Sequence, residues 1–260
     1  MKTAVLFILL LTSLSLSRAN ADHLTLCNRL LMAYSEDSIQ IPVLWTKIEL
    51  ALRAKIRTGW VKRGIPEEIA ETVLEHSQKV RRAALYYSIH HAGIDVLRAG
   101  FMALIHDLAE AIAPDFTPDA KITKAEKHAM EKRVWDEIVL EIPEAAPLRE
   151  LWMEYEAAET PTAKLVKQLD KLDAAIQALK YEKLGHENVV DFYPDARKKL
   201  SDPTLVKILD LLLEKKFPLV NIYDQYFTLL KVNGDKVAFE MAMEEKTQQV
   251  LRTRNEAKGL

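Results

Sequence analysis

The chemistry-bearing residues of this 260-residue chain gather around one dipeptide. Histidine occurs at positions 23, 76, 90, 91, 106, 128 and 186. Only His106 is followed directly by an acid within an apolar helical stretch, Ala103-Leu104-Ile105-His106-Asp107-Leu108-Ala109-Glu110. Imidazole and carboxylate together suit Mn, Co, Zn, Fe or Ni and do not choose among them. Neighbouring residues on a helix point roughly 100° apart, so His106 and Asp107 can meet one ion only near the helix edge. Glu110 follows His106 by four residues and Asp107 by three. It therefore shares their face, close enough to accept a proton from a water held there.

Two further residues complete a ligand set. His76 lies in Glu75-His76-Ser77 on the preceding helix, and Asp170 lies in Lys167-Gln168-Leu169-Asp170 on a later one. His76, His106, Asp107 and Asp170 would then converge from three helices on one divalent ion. Spacing alone does not choose between Asp170 and Asp173, which lies nearer the apolar stripe of the same helix. His90 and His91 end a helix and read as surface residues or partners of its C-terminal dipole. His128 reads as a surface residue or one behind the site, and Lys121 and Lys124 as solvated lysines.

Composition removes several other chemistries. The single cysteine, Cys27, excludes an internal disulfide framework and any multi-cysteine zinc site. Seven glycines are too few for glycine-rich phosphate loops or a turn-dense β-sandwich. The net charge is −2, with no long basic run, which argues against a nucleic acid polymer as partner.

The order H…HD…D resembles the HD-domain metal-dependent phosphohydrolases. The local words resemble the 5′-deoxynucleotidase branch of that family over about residues 45–215. These are Arg57-Thr58-Gly59-Trp60-Val61, Glu71-Thr72-Val73-Leu74-Glu75-His76-Ser77, His106-Asp107-Leu108-Ala109-Glu110, Glu126-Lys127-His128, Val166-Lys167-Gln168-Leu169-Asp170 and Asp191-Phe192-Tyr193. The resemblance implies metal ligands at His76, His106, Asp107 and Asp170, and so prefers Asp170 to Asp173. It implies Glu110 as the acid that orients or deprotonates the attacking water. Asp115 would assist protonation of the leaving group. Arg57 and Trp60 would sit near phosphate and sugar and favour 2′-deoxyribose, the indole packing where a 2′-hydroxyl would lie. The implied substrate is a deoxyribonucleoside 5′-monophosphate, and the family often forms homodimers. The chain departs from the family pattern at Pro114, where Gly is usual, and in two added residues around 65–71. Rival readings are an HD phosphohydrolase for a triphosphate, cyclic dinucleotide or alarmone, and a non-catalytic helical protein with a vestigial metal site.

The elements that must position these residues read as all-α: an HD-domain helical bundle with an N-terminal extension and extra C-terminal helices. Apolar spacing predicts helices over 45–57, from Pro66 to about His91, and from Asp95 to about Ala113. A capping box, Thr123 with Glu126, opens one to about Glu141. Others start after Pro143 and Pro147, at Thr160-Pro161 and at Asp202-Pro203, and two more fill 218–232 and 235–256. The division expected is 22–44 as N-terminal extension, 45–215 as the HD domain and 216–260 as C-terminal extension. Residues 1–21 carry Lys2, an uncharged run from Ala4 to Leu16 and Ala19-Asn20-Ala21. They read as a secretory signal peptide cleaved after Ala21. The run is shorter than the ~18 residues of a spanning helix, so no stable membrane insertion would follow cleavage. The protein would be secreted or periplasmic if this signal is real, and cytoplasmic if it is not.

Overall fold

The computed structural model describes residues 40–117, 121–214 and 222–257. The signal-peptide reading and most of the N-terminal extension lie outside them. No helix among the described residues is long and apolar enough to cross a membrane. Their helices are α1 (Gln40–Ala54), α2 (Thr58–Val61), α3 (Val73–Ser88), α4 (Val96–Ile105), α5 (Lys124–Glu141) and α6 (Ala146–Ala157). They continue with α7 (Pro161–Lys183), α8 (Phe192–Lys199), α9 (Pro203–Leu213), α10 (Ile222–Lys231) and α11 (Lys236–Ala257). Short 3-10 turns occupy Leu108–Ala111, Pro143–Ala145 and Glu187–Val189. The fold is all-α, as its composition implies; an antiparallel bridge between Ile56 and Thr72 is isolated and belongs to no strand.

The long helix α7 is the axis of the bundle. Thr160 caps its start through Ala163 N, and Pro161 occupies the first turn, where a missing N–H costs nothing. Leu165, Val166, Leu169, Leu172, Ile176 and Leu179 are all buried. Around them pack α3, α4, α6, α8, α9 and α10. Helix α10, read from sequence as part of an extension, sinks Ile222, Tyr226, Leu229 and Leu230 into this same core. A second, smaller cluster joins Trp60, Ile65, Ala70, Ala178, Tyr181 and Val189 beside it.

Two helix limits differ from expectation, and both bear on the site. Helix α3 starts at Val73, not Pro66. Thr72 and Glu75 form a capping box, with Glu75 N donating to Thr72 Oγ1 at 3.2 Å and Thr72 N donating to Glu75 Oε2 at 2.9 Å. Residues 71–73 are instead drawn alongside 55–57, where Arg57 N donates to Glu71 O and Val73 N to Lys55 O. Helix α4 was expected to run to Ala113 but stops at Ile105. Asp107 leaves helical geometry, at φ −105° and ψ 15°, and a 3-10 turn follows. Lys55 Nζ holds that turn by donating to the carbonyls of Glu110 and Ala113. Helix α8 has no counterpart in the expected elements; it is only eight residues long and mostly polar.

Leu169 is fully buried on the axial helix. Leu169→Ala should therefore lower unfolding free energy by about 3 kcal/mol, read as a reduced urea midpoint with unchanged slope.

Candidate active site

The break after α4 answers the geometrical problem of an adjacent His and Asp. His106 Nδ1 lies 2.8 Å from the carbonyl of Ala103, which can only accept, so Nδ1 carries the proton. Its Nε2 is left with a lone pair, buried and without a hydrogen-bond partner. The turn at Asp107 swings Oδ2 to 3.2 Å from that Nε2 and to 3.8 Å from His76 Nε2.

Helix α7 presents Asp170 and Asp173, three residues apart and on one face, to opposite edges of the His76 ring. Asp170 Oδ1 is 3.2 Å from Nε2, and Asp173 Oδ2 is 2.8 Å from Nδ1. Asp170 thereby joins His76 and His106 in one trio that could hold a cation, and Asp173 joins His76 and Glu71 in another. Asp173 orients His76 from behind, while Asp170 shares the space in front of it. Tyr155, from α6, donates to Asp170 Oδ2 at 3.3 Å, and Lys171 pairs with that oxygen at 2.8 Å.

These atoms fit a divalent cation. Ligand atoms of His76, His106 and Asp170 lie within 4.8 Å of one another, all buried. The lone pair of His106 Nε2 faces Asp107 Oδ2 at 3.2 Å with no proton between them. A cation converts that repulsion into attraction, and the pairing of Nδ1 atoms with Ala103 O and Asp173 is the outer support usual for ligand imidazoles. In the metal-free protein, burial and the Arg57 charge oppose protonation of His76. Asp170 and Asp173 outweigh them and push the ring up to about 9.

Glu110 is buried at the rim of this cluster. Burial, then the charges of Asp107 and Asp115, raise its carboxyl well above the ordinary value, against Lys127 Nζ at 3.5 Å. Asp115 is half-buried and accepts from Thr58 N at 2.6 Å, which ties the loop after the 3-10 turn to the start of α2. Arg57 stands between these parts. Burial works against its charge, but Glu71, Asp107, Asp170 and Asp115 hold it firmly protonated. Its Nη1 is buried without a hydrogen-bond partner, with Glu71 Oε2 at 3.6 Å.

Six of the eight residues singled out from sequence as site residues thus meet around one pocket of charge, and Arg57 borders it. Trp60 is placed differently. Its ring is 1% exposed, packed against Tyr181 and Phe192, and its Nε1 donates to Glu71 Oε2 at 3.1 Å. The indole therefore does not offer a face on which a sugar could pack. His128 stacks on Trp152 and pairs with Glu156, and Lys121 and Lys124 are exposed, as expected. Sequence reasoning missed Tyr155, Glu71 and Lys79. Glu71 was legible only as one acid of the helix expected from Pro66, yet it is buried and binds Arg57, Trp60 and Lys79.

An all-α bundle with an H…HD…D cluster at its centre defines a class, and residues 50–207 match the HD domain family; the chain belongs to it. It is 38% identical over 176 residues to 5′-deoxynucleotidase HDDC2 of Dictyostelium discoideum, covering 63% of this chain and 91% of that protein. To the human protein of the same name it is 36% identical, covering 59% of this chain and 75% of that one. A conserved hypothetical protein from Pyrococcus furiosus shares the fold at a TM-score of 0.54 and 31% identity, over 64% of this chain and 96% of its own.

A ligand imidazole must be neutral, so a metal ion competes with the His76 proton. Affinity for Mn(II) should rise with pH up to about 9, by at most about tenfold per unit for this single proton. Calorimetric titration across about pH 6.5 to 8.5 checks the slope; affinity independent of pH would remove His76 from the ligand set.

Proposed function

We propose that this chain hydrolyses 2′-deoxyribonucleoside 5′-monophosphates to deoxynucleoside and phosphate, with one divalent ion held by His76, His106, Asp107 and Asp170. The observation that carries the reading is the facing of lone pairs at His106 Nε2 and Asp107 Oδ2, beside a buried guanidinium with an unused donor. The names of the relatives support the substrate class. When bound, the ion supplies a Lewis acid that offsets phosphate charge and lowers the pKa of water.

The chain's own groups do the rest. Arg57 Nη1 donates to a phosphate oxygen, and its fixed charge offsets the anion in a site otherwise lined by carboxylates. Glu110 takes the proton of the attacking water. Burial and the neighbouring carboxylates raise its pKa well above the ordinary carboxylate value, which makes it a stronger base than a solvated one. Asp115, between Thr58 N and the charge of Arg57, assists protonation of the leaving 5′-oxygen, the proton being the one that Glu110 took from the water. Trp60 acts from behind: it holds Glu71, and so the turn that carries Arg57, against the site. The native ion among Mn, Co, Zn, Fe and Ni is left to measurement.

Phosphate release by the purified protein tests this, with deoxy and ribo 5′-monophosphates compared, Mn or Co supplied or EDTA added. Release confined to deoxy substrates, and lost with EDTA and in Asp107→Ala, is the expected result. Equal release from ribo substrates would discard the deoxyribose assignment. Glu110→Gln should cut kcat by about 10²–10⁴-fold with little change in KM. Trp60→Ala should destabilise by about 3–5 kcal/mol and raise KM through a loosened Arg57. For the N-terminus we propose export and cleavage after Ala21, supported by the apolar run and the Ala19-Asn20-Ala21 sequence. Sequencing of the mature end should begin at Asp22.

A further inference from the structure

The polar chemistry of the site does not stop at Asp173. Four residues after it on α7 comes Gln177, 1% exposed and on the same face. Gln177 Oε1 accepts from Lys79 Nζ at 2.8 Å and from the Tyr223 hydroxyl at 3.1 Å. The Lys79 ammonium lies 4.4 Å over the Tyr223 ring and also pairs with Glu71 at 2.8 Å. Tyr223 belongs to α10, which follows the residues matched by the HD domain family. Burial, then the charges of Asp173 and Glu71, raise its hydroxyl well above the ordinary value, so it stays a donor beside that carboxylate.

We infer that Tyr223 is a positioning residue for the metal site. From outside the family domain, its hydroxyl faces Asp173 and, with its ring, holds Gln177 and the Lys79 charge beside that carboxylate, and through Asp173 it fixes the ring of His76. The physical argument is one of freedom. Asp173 can present its carboxylate squarely to His76 Nδ1 only if the side chains flanking it cannot swing. Gln177 and Lys79 are both long and would otherwise have several rotamers. The Tyr223 hydroxyl pins the first, and its ring face holds the second. Helix α10 is thereby the back wall of the metal centre. The inference rests on the metal reading above.

The test is Mn(II) binding to the metal-free full chain, measured by calorimetry. Tyr223→Phe keeps the ring over Lys79 and removes only the hydroxyl. It should weaken Mn(II) by about fivefold, below the 10–100-fold typical of groups directly behind a ligand. Asp173→Asn should weaken it further, and adding Tyr223→Phe to Asp173→Asn should change nothing more, because both act through one carboxylate. Leu229→Ala, on the same helix and buried in the apolar core, is the control for general destabilisation. It should lower the melting temperature and leave Mn(II) affinity as in wild type. Tyr223→Phe binding within twofold of wild type, or its effect adding to that of Asp173→Asn, would overturn the inference. A wild-type chain that binds no Mn(II), Co(II) or Zn(II) would overturn the metal reading as well.

Discussion

Everything in this structure answers to one electrostatic constraint: too many carboxylates share a buried space. Glu71, Asp107, Glu110, Asp170 and Asp173 all approach the same centre, and removing each charge from water costs several kcal/mol unless it is met. Arg57, Lys79, Lys127 and Lys171 meet some of that charge from the periphery. None of the four stands between the two Nε2 atoms and the oxygens of Asp107 and Asp170. That interior needs a compact divalent charge, and its electrostatics are what make a catalytic reading more convincing than a scaffold with a relic cluster. The same arrangement keeps Glu110 apart. Lys127, at 3.5 Å, and Arg57 do not offset its burial and the charges of Asp107 and Asp115, so its carboxyl is held well above the ordinary value.

Rigid elements hold this arrangement in place. Helix α7 contributes Asp170, Asp173 and Gln177 from one face while its other positions are buried in the apolar core, so none of the three can drift without disturbing packing. Helix α3 brings His76 at a defined height because the Thr72–Glu75 box sets where it begins. Helix α4 does something less regular. By ending before Asp107, it trades further helical hydrogen bonds for a turn that aims His106 and Asp107 at one point; His106 Nδ1 meets the leftover carbonyl of Ala103, and Lys55 meets two carbonyls of the turn and the residues after it.

Arg57 and His76 are linked through the back of the site as well as across its front. Glu71 joins the Arg57 turn to Lys79, and Lys79 joins Gln177, beside Asp173 and His76. Substrate anchoring and ion binding therefore share one buried polar network. Its outer seal is Trp60 on one side and α10 on the other. This gives a physical role to two features that read from sequence as a sugar contact and an appended helix.

His76 and Asp170 were legible in the sequence through the short motifs that resemble the family; His106, Asp107 and Glu110 were legible because helix spacing is local, its i, i+3 and i+4 relations surviving any tertiary arrangement. The all-α class was legible for the same reason. The motif match preferred Asp170 to Asp173, but tertiary structure alone put the two on opposite edges of the His76 ring, since both lie on one helix face and only the position of that ring separates them. It likewise decided that Trp60 is walled in by Tyr181 and Phe192, residues more than a hundred positions away in the chain. It decided, too, that Tyr223 closes the back of the site. Long-range packing determines these matters, and no local pattern encodes which buried neighbour a side chain will find.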